Sequence, residues 1–200
     1  MTRPIAVFAT LVALPLFHQQ GGTLASRLSE GAQLFYFTDG RAQPPWIVDS
    51  VRSGQALRPN ADCASLTIRR SPSDRSPERS RLCVSGDTLY RLQPGKDWAP
   101  SRPVGPDMTL TIVKPNGDSV LYETGAMGED LVSGNAIQVV STTITTVDAR
   151  GRPRFRVRER YAVSLATATG GLIENPDPGA AGQWVTKHNY SLKELKPGVP

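Results

Sequence analysis

The chain has 200 residues, 38% of them hydrophobic, and a formal net charge of +5. That length and composition fit one domain able to bury a real core, which sets aside a disordered polar chain. The mild basicity, with both signs spread throughout, favours contact with anionic surfaces and gives no ground for a nucleic-acid binder.

The first 25 residues stand apart. Arg3 precedes an apolar run from Ile5 to Phe17, followed by polar His18–Gly22 and a small-x-small site at Thr23-Leu24-Ala25. A helix of that run would be about 20 Å long, short for a hydrocarbon core of about 30 Å and suited to a secretory segment. Residues 1–25 are therefore expected to be a signal peptide or, if retained, a membrane tether through residues 4–17. Residues 26–200 are expected to be an extracytoplasmic domain, periplasmic or extracellular. A helical turn is conceivable only around Leu24–Ser29.

Next come short alternating runs separated by turn residues. Ala32–Thr38 and Pro45–Val51 flank Asp39-Gly40, a hairpin signal lengthened by Pro44-Pro45. Ser65–Ile68 and Leu82–Leu92 flank a polar segment, Arg69–Arg81, which is rich in Ser and Arg, contains Pro72 and Pro77, and reads as a flexible loop. Its arginines are interrupted by Asp74 and Glu78 with no aromatic between them, which argues against nucleic-acid contact. The two cysteines, Cys63 and Cys83, bracket this loop, and in an exported chain they predict a disulfide.

Met108–Lys114 and Ser119–Thr124 predict a hairpin across Pro115–Asp118. Ala136–Val147 and Arg154–Leu165 predict a longer one across residues 148–153. Gly171–Glu174 and Gln183–Leu192 complete the series. Eight to ten antiparallel strands in this length predict an all-β domain. The long pair favours a barrel or half-barrel over a flat sandwich-like sheet.

Arg152, Arg154, Arg156, Arg158 and Arg160 fall at every second position, so one strand face carries all five. The opposite face carries Phe155, Val157, Glu159, Tyr161, Val163 and Leu165. The preceding strand offers no acid between Ser141 and Thr146, so the ladder is not neutralised from that side. Such a ladder suits docking on anionic lipid headgroups or an acidic protein. It equally suits a solvated face that discourages edge-to-edge aggregation. Glu159 is a candidate buried acid on the apolar face, to be satisfied by Thr142 or by an Arg or Lys entering the barrel.

His188 has no ligand-spaced Cys, Asp or Glu for a metal site, and neither Ser85–Asp87 nor Ser133–Asn135 has the surroundings of a nucleophilic serine. Asn189-Tyr190-Ser191 matches a glycosylation acceptor. No catalytic residue, cofactor or metal is expected.

The composition therefore suggests a non-enzymatic envelope protein that binds a partner protein or an anionic membrane surface. One such role is an accessory subunit of a membrane complex, photosynthetic or respiratory. The alternative is a periplasmic carrier of a small apolar ligand. A contiguous apolar cavity would favour the carrier, and a filled core would oppose it.

Overall fold

A computed structural model describes residues 28–53, 61–71, 73, 75–93, 97–176 and 183–198. The expected export segment and helical turn lie outside them, apart from Leu28 and Ser29. Strands follow in chain order: β1 (Gln33–Thr38), β2 (Arg41–Ala42), β3 (Trp46–Ser53), β4 (Asp62–Arg69), β5 (Glu78–Ser85), β6 (Thr88–Leu92) and β7 (Trp98–Pro103). They continue with β8 (Thr109–Val113), β9 (Ser119–Val132), β10 (Asn135–Val147), β11 (Pro153–Ala162), β12 (Thr167–Pro176) and β13 (Trp184–Lys196).

Each ladder is antiparallel, and the path β7-β6-β5-β4-β3-β1-β13-β12-β11-β10-β9-β8 curls until its two ends approach. The result is a nearly closed twelve-strand barrel, with β2 appended to β1. The all-β expectation holds, and the barrel form prevails over the sandwich. The thirteen strands among the described residues exceed the eight to ten expected.

Neither β2 nor β7 matches an expected run, and the single run Leu82–Leu92 divides between β5 and β6. β7 carries Pro100 and Pro103. In the sheet they remove two backbone donors, which suits a strand at the end of the path. No ladder joins β7 to β8, so a seam remains there. Side-chain and loop bonds span its upper part: the Thr124 hydroxyl donates to the Gly105 carbonyl at 2.7 Å and accepts from the Met108 N–H at 2.8 Å.

Two more expectations are corrected. The polar Arg/Ser segment is not a loop throughout: its last part, from Glu78, belongs to β5. Arg79, Ser80 and Arg81 pair with Thr67, Leu66 and Ser65, because a ladder can satisfy backbone groups whatever the side chains. The strand expected to run to Leu165 ends at Ala162. Val163–Leu165 form a 3₁₀ turn that ends with Ala166 at φ 49°, and this turn buries Leu165.

Two hairpins turn on residue pairs with positive φ: Asp39-Gly40 (50° and 75°) and Ser133-Gly134 (52° and 75°). Both match the primed geometry that follows strand twist. The second lies at the tip of the β9–β10 hairpin, which runs past the end of β11. A bulge between Val140 and Thr142 bends it. The Ser133 N–H then donates to the Lys193 carbonyl at 3.3 Å, and the Leu195 N–H donates to the Ser133 hydroxyl at 2.7 Å.

The fold-back helps bury Val132, Ile137 and Val139 in one cluster with Leu34, Val48, Leu66, Leu82, Leu165 and Leu192. Each fully buried Leu contributes about 1.5–3 kcal/mol. This packing is concentrated toward one end of the barrel.

Cys63 and Cys83 are direct cross-strand partners of β4 and β5 and are joined by a disulfide. The bridge closes a loop whose ends are 20 residues apart, a length worth about 3 kcal/mol in the chain-entropy account. Replacing both cysteines with Ser should lower Tm by roughly 6–12 °C for a chain this size, measured by thermal unfolding. An unchanged Tm would show that the bridge adds nothing to stability.

Candidate functional site

Away from the packed end the barrel is hollow. A cavity of about 780 Å³ is lined from eleven of the thirteen strands, all but β2 and β8. That distribution makes it the barrel lumen. Much of the wall is apolar: Trp46 and Ile68 on one side, Ile144, Val157 and Ile173 on the other. Val157 pairs with both Ile144 and Ile173, so these three form a continuous patch across β10, β11 and β12. Tyr36 packs on Trp46 with ring centroids 4.7 Å apart, and its hydroxyl donates to the Ala168 carbonyl at 2.8 Å.

A polar bridge crosses this lumen. Arg102 of β7 reaches Glu159 of β11, with Nη2 2.5 Å from Oε1, and the two side chains are 11% and 9% exposed. The guanidinium lies 3.7 Å from the centre of the Tyr161 ring, close enough for cation–π attraction. The Tyr190 hydroxyl donates to the other Glu159 oxygen at 2.9 Å. Glu159 is therefore held by an arginine entering the barrel. Thr142 directly opposite it in β10 makes no such bond, which corrects the threonine alternative.

Gly171 makes this reach feasible. It sits between Glu159 and Tyr190 in adjacent ladders, and a Cβ there would meet the Tyr190 hydroxyl at 2.9 Å and the Arg158 carbonyl at 2.5 Å. Burial pushes the Tyr161 phenol up to about 12, and burial followed by the Glu159 charge raises Tyr190 as well. Both phenols stay protonated, so Tyr190 remains a donor.

The arginine ladder occupies the outer face. There it is met by acids from elements other than β10. Asp148, in the turn before β11, pairs with Arg152 at 3.1 Å and Arg154 at 2.9 Å. Glu174 of β12 lies 3.8 Å from Arg158, and Asp130 of β9 lies 2.7 Å from Arg160. Arg156 lies over the Trp184 ring at 5.3 Å. As expected, the hairpin neighbour β10 supplies none of these acids; they come from the turn, the other neighbour and the folded hairpin.

A second hollow, about 800 Å³, lies along this outer face beside Arg158, Arg160 and Lys193. Its floor is largely Gly, Ser and Thr, including Gly125, Ser141 and Gly170. Its large apolar and aromatic lining is limited to Phe37, Leu172 and Tyr190, whereas the lumen has a continuous aliphatic and aromatic wall, so the lumen is the stronger candidate for a ligand.

His188 pairs with Asp39 at 2.7 Å, and Asp39 also accepts the Asn189 N–H at 2.9 Å. Those bonds, the backbone one first, hold the Asp39 carboxyl below its ordinary range. His188 thus ties the Asp39-Gly40 turn to β13. Sequence reasoning missed Arg102, and the only signal for it was an arginine in a Pro-flanked segment.

The fold and the lumen together define an antiparallel β-barrel with one packed end, a hollow interior and an internal ion pair. No family model and no curated protein matches the chain. Among solved structures it is similar to a protein of Bacteroides fragilis described as exported, with a YmcC-like fold. The identity is 12% and the TM-score 0.47, over 88% of this chain and all of that one. A likeness of that size does not bear on ligand or partner.

Removing one partner of the lumen pair leaves a buried charge. Arg102→Met should cost about 3–5 kcal/mol, while Arg102→Met with Glu159→Leu should cost clearly less, as read by urea unfolding. Gly171→Ala should cost about 1–3 kcal/mol, because the contact is with backbone as well as a side chain.

Acid stability should track Asp148, whose carboxyl is lowered first by the Arg152 N–H bond. A lowered folded-state pKa contributes stability above the ordinary carboxylate range, and this is lost as pH falls through the lowered value. Asp148→Asn should therefore flatten the decline below about pH 4 in thermal scans.

Proposed function

We propose that this chain is a non-enzymatic extracytoplasmic barrel that holds a small, largely apolar ligand in its lumen. The observation that carries the reading is the cavity of about 780 Å³ with apolar walls inside a barrel whose opposite end is packed. Ligand sites generally measure about 300–1,000 Å³ and combine apolar walls with a few polar groups. The disulfide supports a compartment outside the cytoplasm, since such bridges persist where the environment is oxidising. Binding rather than catalysis fits the lumen's acid and arginine, which are committed to each other.

The test is direct. An apolar fluorescent probe such as N-phenyl-1-naphthylamine should bind the full chain with a saturable rise in emission. Val157→Trp places bulk against Ile144 and Ile173 and should abolish that rise while far-UV circular dichroism stays β-type. Equal probe binding by this variant would end the carrier reading.

A second reading rests on the half-exposed outer guanidiniums. Arg152, Arg154, Arg158 and Arg160 retain 50–62% side-chain exposure despite their acids. They could meet an anionic membrane or the acidic surface of a membrane-complex protein. Changing these four to Gln should then weaken sedimentation with vesicles containing anionic lipid, and added salt should weaken it for the native chain. Unaltered sedimentation would leave the ladder as solvated surface.

A further inference from the structure

The distribution of charge around the lumen narrows the ligand class, an inference that rests on the carrier reading. The cavity wall contains three arginines, Arg70, Arg91 and Arg102, against two glutamates, Glu78 and Glu159. The deep pair is balanced one to one, with Arg102 on Glu159. The imbalance lies at the exposed rim. Arg70 and Arg91 share the single carboxylate of Glu78, at 2.8 Å and 3.5 Å.

Among the described residues one cationic charge is therefore left over at the entrance, and its position is informative. Arg70 lies over the Trp46 ring at 5.0 Å, and Trp46 packs on Tyr36, whose hydroxyl is anchored at Ala168. An aromatic wall thus leads from the surplus charge into the lumen. A further acid among the described residues, Asp39, sits with His188 on the β1–β13 side. An anion is accordingly favoured near β4–β6, beside Arg70 and Arg91.

We infer that the ligand is an anionic amphiphile, with an apolar body in the lumen and one carboxylate or phosphate headgroup held at the rim by Arg70 and Arg91. The deep Arg102–Glu159 pair would then lie against the body and take no part in reading the head. Both rim arginines present donors in a fork that matches either headgroup, so the shared chemistry is a single-headed oxyanion.

The experiment compares dodecanoate, dodecyl phosphate and neutral dodecanol by calorimetric titration of the full chain at pH 8 and low salt. At least one anion should bind about fivefold or more tightly than dodecanol, the size that half-exposed charge contacts support. The two anions compared with each other identify the preferred head. In Arg70→Gln with Arg91→Gln that advantage should vanish while dodecanol affinity is retained.

Equal affinity of all three for the native chain would overturn the headgroup inference and leave the carrier reading standing. Binding of none would overturn both. An anion preference that survives the double variant would overturn the assignment to the rim. If the double variant loses dodecanol as well, Glu78→Gln decides the matter. It raises the surplus charge and should strengthen anion binding, and unchanged or weaker binding would overturn the inference.

Discussion

The ion pair between Arg102 and Glu159 is the constraint on which the rest of this barrel depends. Backbone hydrogen bonds run unbroken from β7 round to β8 and stop there. Two prolines in β7 make that end a poor ladder partner. The closure that the backbone does not provide is supplied from inside, by a side chain of β7 reaching β11 across the lumen. A pair this buried brings little net stability against an apolar alternative, but leaving either member alone would be costly. It therefore ties the β7 end of the sheet to β11 across the lumen and adds to the Thr124 bonds at the seam.

That bridge has consequences for neighbouring residues. Tyr161 must lie flat beneath Arg102, and Tyr190 must extend over β12 to the second oxygen of Glu159. The latter needs a strand position with no side chain, which Gly171 provides. The glycine, the two tyrosines and the ion pair form one unit spread over β7, β11, β12 and β13. Because the unit sits in the lumen, it limits how far the core can fill and leaves the hollow between itself and the rim.

The outer arginines follow a different logic. They are held in water by their own lengths and by acids delivered from a turn, a neighbouring strand and a hairpin tip. At 50–62% side-chain exposure such pairs contribute modestly to stability. Their arrangement still leaves a basic outer face next to a mixed, slightly basic entrance. Charge thus surrounds an apolar interior, the distribution expected of a molecule that meets a polar environment outside and an apolar body within.

Much of the fold was legible in the sequence because β-structure writes a local pattern. The period-two alternation of Arg154–Tyr161 fixed which residues face outward. Asp39-Gly40 and residues 115–118 marked turns whose φ values few residues adopt. Cys63 and Cys83 fall opposite each other because the strands flanking one loop pair in register. Glu159 stood out as an acid on an apolar face, and that too is a property of a single strand. What tertiary structure alone decided was which distant residue meets which. Arg102 and Glu159 are separated by most of four strands in the chain, and no local pattern links them. The acids that neutralise the ladder come from three different elements. The lumen exists because twelve strands curl into a nearly closed barrel with an uneven distribution of large side chains. Alternation sets the face a residue takes, whereas the partner it finds there is set by strand order, bulges and closure, which no single stretch of sequence encodes.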